Sequence, residues 1–285
     1  MGTILTRDRE YTSLEKKLLC RITFAGIFGS LVYALLSHTL THQLCAPVLK
    51  YPYVDLTYWL LHLLQIPEFI TGHYIVACLF DGALFAFCIL SFGYPGKRLF
   101  IGLFTLLYFI YFIIFNTYGA HHTGPKIGFL LIPLPFLVAN ERSFNYLWQS
   151  LRYFLLFAYS SAFAWKLLRF SWLYEDQGVL IMKKNLAAYL YFNPSTTQAE
   201  VYRWLLQHPA IVNSLFITGF IMEGLFIIGF FTRKYDRFLL LLSVLLPLGF
   251  YFMADAAFFE LLLLSLTLVN FHRLHFFQDQ VQRAT

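Results

Sequence analysis

Apolar runs of roughly 20 residues recur along the whole of this sequence, each long enough to cross a hydrocarbon core of about 30 Å as a helix. With 59% hydrophobic residues, 13% charged and a mean hydropathy of +0.63 over 285 residues, the chain lies outside the composition of ordinary soluble domains. The expectation is an all-α protein, a single membrane domain over residues 1–285 built as a polytopic transmembrane helical bundle. About eight spans are drawn: Leu18 to Leu40, Gly72 to Phe92, Leu99 to Tyr118, Ile127 to Ala139, Tyr146 to Leu168, Ile211 to Phe231, Phe238 to Met253 and Ala256 to Phe271. The fourth is short and holds Pro133 and Pro135, which remove amide donors and bend a helix. It reads as a tilted, broken span or as a re-entrant segment held by its neighbours. No heptads, solenoid period or low-complexity tract stand out.

Charge orients the bundle. Met1 to Lys17 is polar and the first apolar run lacks a small-residue cleavage pattern, so that run is expected to stay as a span rather than leave as a signal peptide. Short cytoplasmic loops collect Lys and Arg. With eight spans, one side receives Arg7, Arg9, Lys16, Lys17 and Arg21, then Lys97 and Arg98, Arg142, the loop Thr232 to Arg237, and Arg273 with Arg283. Both termini are then cytoplasmic, residues 1–17 form a cytoplasmic arm, and a bacterial inner (cytoplasmic) membrane is the expected location. Two long connections, residues 43–71 and 169–210, become caps on the outer side. The first carries Tyr51, Tyr53, Tyr58 and Trp59 ahead of the run Leu60 to Ile66, the pattern of an interfacial helix with aromatic anchors. The second contains Trp172, Gly178 and the helix-start signal Asn193-Pro194-Ser195-Thr196. The net charge of +6 reads as topology, because no basic tract with interleaved aromatics points to nucleic acid.

Lys166 bears most directly on function. It stands at the end of the run Tyr146 to Leu168, where taking an ammonium out of water is costly and an ionisable group is a functional candidate. A lysine at a helix end also snorkels to the interface, so its role turns on which way it points. Other ionisable groups near membrane depth are His38, His42, His73, Asp81, His121, His122, Glu223, Asp255 and Glu260. His38 and His42, four apart, are expected to share a helix face where they could relay a proton. Two histidines do not complete a zinc site, and no metal is assigned. Asp81 and Glu223 each precede a glycine inside an apolar helix, the setting of an interhelical clamp or of a proton path, with Arg152, Lys166 and Arg169 available as partners. Cys20, Cys78 and Cys88 fall inside apolar helices, and together with Cys45 they show neither metal spacing nor a disulfide framework. His121 and His122 lie in a tight connection on the same side as Lys166, and a desolvated lysine beside a histidine can act as a general base.

Tyr159, Ala162 and Lys166 at the end of the fifth span, followed by Trp172 and Gly178, resemble the signature of the HTTM superfamily, the membrane domain of vitamin K-dependent gamma-carboxylases and their bacterial relatives. The wider order is also similar: His121 or His122 before the fourth span, Leu134-Pro135 to Ser143, Glu223 in a later span, and the basic turn Thr232 to Arg237. The likeness runs roughly from Gly72 to Asn270 through short, degenerate motifs, and a DoxX-like four-helix membrane fold is its nearest confusion. The resemblance implies a membrane enzyme in which Lys166 is the base that deprotonates a quinol and His121 or His122 assists, in a cavity opening outward. The ligand is then a quinol or another lipidic molecule, with Trp165 and Trp172 as candidate cofactor-contacting residues. The sequence departs from the family where the late span Leu248 to Asp255 lacks the usual histidine and where the large soluble domain that binds protein substrate would stand. The competing expectation is a non-catalytic subunit of a membrane protein complex, with Lys166 snorkelling and a Tyr/Phe-rich assembly face.

Overall fold

The computed structural model describes residues 11–44, 63–118, 127–254 and 256–269, and all regular structure among them is helical. Five segments are long and apolar enough to cross a membrane: Ser13–Gln43, Tyr74–Gly93, Arg98–Asn116, Pro209–Phe231 and Asp236–Ala254. Large apolar side chains such as Ile75, Leu79, Ile221 and Leu241 are exposed on them, which suits a lipid surround and marks an integral membrane protein. The other three expected spans take different forms. The fourth is two single turns, Gly128–Leu131 and Leu134–Leu137, divided at Pro133 and Pro135, as their missing amides require. The fifth lies in a helix of 28 residues, Glu141–Leu168, which Gln149, Arg152 and Lys166 keep from being uniformly apolar. The eighth is the short segment Phe259–Leu268.

Contacts divide the chain into two compact units, one of residues 1–121, 125–150 and 270–285, the other of residues 122–124 and 151–269. In the first, α1 (Ser13–Leu36) begins five residues before the expected span, inside the segment read as a polar arm. A capping box explains it: Thr12 Oγ1 accepts the Glu15 amide, and the Glu15 carboxylate accepts the Thr12 amide. After α2 (Ile66–Gly72), the long helix α3 (Tyr74–Gly93) packs against both α1 and α4 (Arg98–Tyr118). Cysteines serve as small donors where α1 and α3 meet: the Cys88 thiol reaches the Phe24 carbonyl at 3.5 Å and the Cys20 thiol reaches the Ser91 carbonyl at 4.0 Å. The turns α5 (Gly128–Leu131) and α6 (Leu134–Leu137) follow, and Leu137 touches α4 at Gly102.

One expectation fails in this unit. His38 and His42 do not share a helix face, because α1 ends at Leu36 and His38 takes a left-handed φ of 57°. The chain then turns back into a 3-10 turn, Thr41–Gln43, lying against α3. The interfacial helix expected in residues 43–71 falls largely outside the described residues, of which α2 is the helical part.

The second unit is organised by α7 (Glu141–Leu168), which enters it at Leu151. It continues through α8 (Gln177–Phe192), α9 (Thr197–Leu206), α10 (Pro209–Leu225), the single turn α11 (Ile228–Phe231), α12 (Asp236–Ala254) and α13 (Phe259–Leu264). Thr196 caps α9 by accepting the Ala199 amide at 3.2 Å, so the expected start signal operates. Val179, Met182, Leu186, Tyr202, Leu205 and Val212 form one buried cluster joining α8, α9 and α10.

A ladder with a seven-residue step ties α7 to α12, although no heptads were apparent. Arg152 bonds Asp236, Tyr159 donates to the Ser243 carbonyl at 3.5 Å, and the Lys166 ammonium lies 5.7 Å from the Phe250 ring centroid. The first two pairs are each 84 residues apart in sequence, and the third keeps that offset, so the two helices run parallel in fixed register. Seven residues are nearly two helical turns, which brings Arg152, Tyr159 and Lys166 to one stripe of α7. On a neighbouring face α7 meets α10 and α11 in the antiparallel sense. Phe163 stacks on Phe220 at 4.6 Å, Tyr159 on Phe226 at 4.2 Å and Tyr153 on Phe230 at 6.0 Å.

Candidate functional site

Lys166 turns inward. Its ammonium donates to both carboxylate oxygens of Glu223, each at 2.6 Å. The Glu223 side chain is 2% exposed and that of Lys166 27% exposed, so the pair sits at the edge of the packed interior of its unit. Two rings face the same ammonium, Phe250 at 5.7 Å and Phe216 at 5.9 Å from their centroids, each adding a cation–π attraction. The pair meets the description of an interhelical clamp between α7 and α10. It also forms a short path along which a proton can pass between amine and carboxylate.

Neighbouring residues fix this geometry. Gly224 lets the Phe163 ring lie flat against α10, since a Cβ there would come within 2.9 Å of the ring. Past the C-terminal end of α7, the Ser171 hydroxyl donates to the Lys166 carbonyl at 3.0 Å, satisfying an acceptor that the helix leaves open. On α10, Asn213, Phe216, Phe220 and Glu223 follow a spacing of three and four residues, which places them on one face. Asn213 uses that face to cap α8: its side-chain oxygen accepts the Gly178 amide at 3.0 Å, and its side-chain nitrogen donates to the Glu175 carbonyl. Asn213, Phe216 and Phe250 were not singled out in the sequence; the spacing along α10 was the signal that could have found the first two.

Gly178 marks a close approach of α8 to the backbone of α10. A Cβ at this position would lie 2.8 Å from the Val212 carbonyl oxygen and 3.1 Å from Phe216 Cβ. Because one obstacle is backbone, Gly178→Ala is expected to destabilise the protein by about 1–3 kcal/mol, the usual range for overpacking. Thermal unfolding of the purified protein in detergent would measure this, and an unchanged transition would contradict the close approach.

The other residues considered for chemistry are distributed differently. His121, His122 and Asp255 lie outside the described residues. Trp165 is 56% exposed and stacks under the Arg169 guanidinium at 4.2 Å, while Trp172 is 38% exposed in the 3-10 turn Ser171–Leu173. Arg152 does not pair with either expected carboxylate. It donates through Nε and Nη2 to Asp236 at 3.1 and 2.6 Å, and through Nη2 to the Gly229 carbonyl at 3.0 Å. Asp81 takes none of the expected basic partners and bonds His42 and the backbone around it. Gly82, beside it, has open space where a Cβ would stand, so the close-approach reading holds at Gly224 but not there. No group of three His, Cys, Asp or Glu side chains among the described residues could hold a metal ion.

No family model, curated protein or solved structure matches the chain. The site therefore rests on its own geometry.

Proposed function

We propose that this chain is an integral-membrane enzyme of the HTTM, gamma-carboxylase-like type, in which Lys166 acts as a base on a quinol or another lipidic substrate. The supporting observation is the inward turn of Lys166 onto the buried Glu223 carboxylate, with the rings of Phe216 and Phe250 facing the ammonium. A snorkelling lysine would be spread into the headgroup layer instead. For Lys166 to act as a base its own proton moves first to Glu223, and the neutral amine then takes the proton of a substrate hydroxyl. His121 or His122 is the proposed helper, on the motif order alone. We place the chain in a bacterial inner membrane with about eight crossings and both termini cytoplasmic. The parallel register of α7 and α12 supports this arrangement, because the fifth and seventh of eight crossings run in the same direction.

The test is oxidation of decylubiquinol under air by the full chain in nanodiscs, with bicarbonate present. Lys166→Met should slow it by about 10²–10⁴-fold, the usual contribution of a general base. Lys166→Met combined with Glu223→Met, which leaves no unpaired charge, should be equally inactive. Wild-type rates in these variants would sink the proposal.

The alternative is a non-catalytic subunit of a membrane protein complex. It is favoured by the same carboxylate giving both oxygens to the ammonium, as a tie between helices would. That reading expects no quinol turnover by the wild-type protein and copurification of a partner chain.

A further inference from the structure

In the first unit Asp81 and His42 form a pair that the Lys166 reading does not use. Asp81 lies within α3, its side chain 5% exposed, and such a group at membrane depth needs donors. It finds three. The amides of Thr41 and His42 donate to it at 3.2 and 2.8 Å, and His42 Nδ1 lies 2.8 Å from Oδ2. The turn that delivers them is held from several directions. The Leu40 amide donates to Gln43 Oε1 at 2.9 Å, Gln43 Nε2 donates to the Leu35 carbonyl at 3.0 Å, and the Tyr111 hydroxyl donates to the Thr39 carbonyl at 3.0 Å.

Satisfying Asp81 uses only one ring nitrogen. In the tautomer that donates from Nδ1 to the carboxylate, Nε2 is left as an acceptor. Among the described residues Nε2 has no hydrogen-bond partner. The imidazole is 22% exposed, and Tyr74, the first residue of α3, sets its ring edge against it at 6.2 Å. The result is an oriented acceptor, fixed before any ligand arrives, at the ends of two apolar spans, Ser13–Gln43 and Tyr74–Gly93. Molecules that reach such a place from the bilayer and carry a donor are lipid-soluble alcohols and phenols.

We infer that the Asp81–His42 pair is a second binding site, in which His42 Nε2 accepts a hydrogen bond from the hydroxyl of a membrane-soluble molecule. An isoprenoid quinol and a diacylglycerol share this chemistry. The site does not depend on the role proposed for Lys166.

The experiment uses the full chain in nanodiscs, kept anaerobic, and reads carbethoxylation of His42 by diethyl pyrocarbonate through peptide mass spectrometry. The unliganded protein should be modified at His42. Decylubiquinol, dioctanoylglycerol or both should slow that modification about tenfold at roughly ten times the dissociation constant; the one that protects names the source. Protection should persist in the double variant Lys166→Met/Glu223→Met, which separates this site from the other reading. His42→Leu, which leaves Asp81 its two backbone donors and offers no acceptor, should bind the protecting probe about tenfold more weakly in equilibrium dialysis against the nanodiscs, as loss of one hydrogen bond predicts. The inference is overturned if neither probe protects, if the dimethyl ether of decylubiquinol protects equally, if His42 is unreactive in the free protein, or if His42→Leu binds as wild type.

Discussion

Replacing Arg152 with methionine is expected to destabilise the protein by roughly 3–5 kcal/mol, the cost of breaking a buried ion pair from one side. The guanidinium side chain is 3% exposed and holds both oxygens of Asp236 together with the Gly229 carbonyl. Its removal leaves a carboxylate and a carbonyl facing the interior while the lower layers of the α7–α12 ladder stay in place. Adding Asp236→Asn removes the stranded charge and should return about half of the loss, on the order of 2 kcal/mol. Unfolding in mixed micelles by titration with SDS would measure both. A loss below about 1 kcal/mol for Arg152→Met would mean that the pair behaves as an exposed one.

Lys166→Met carries a similar expectation by a different route. It strands Glu223, which is 2% exposed, and the estimated cost is again roughly 3–5 kcal/mol. The double variant Lys166→Met/Glu223→Met replaces the pair by apolar side chains of similar length, a change that is often neutral or stabilising by about 1–4 kcal/mol. Stability and activity should therefore separate. The single variant loses both, and the double variant recovers the fold without recovering quinol oxidation. If the double variant is as unstable as the single one, the aromatic frame around the site depends on the ion pair, and the activity comparison must be made on Lys166→Arg instead.

The helices were legible where one signal dominated. Continuous apolar runs located the five long spans, Pro133 and Pro135 broke the fourth segment as expected, and Thr196 started α9. Boundaries were set by side chains that hydropathy ignores. The Thr12–Glu15 capping box carries α1 back to Ser13, and Asn140, whose Oδ1 accepts the Arg142 amide, opens α7 ahead of Tyr146. The paired histidines misled because four residues of separation imply one face only while the helix continues, and it stops at Leu36. The site was half legible. Lys166 and Glu223 stood out as charges in apolar surroundings, and each was recognised as a group needing a partner. Their pairing depends on the antiparallel contact of α7 with α10, which no local pattern encodes. The ladder was missed because a heptad is sought as a repeat of apolar residues, and this one is written in Arg152, Tyr159 and Lys166.

The fixed offset between α7 and α12 also has a meaning in time. Arg152 leaves the ribosome 77 residues before Gly229 and 84 before Asp236, an interval of roughly 4–17 s at about 5–20 residues per second. Lys166 waits a shorter time, 57 residues, for Glu223. During biogenesis α7 thus carries two cations with no acid yet made to meet them. Insertion machinery has to tolerate this helix as a guest until Glu223 and Asp236 arrive to neutralise it.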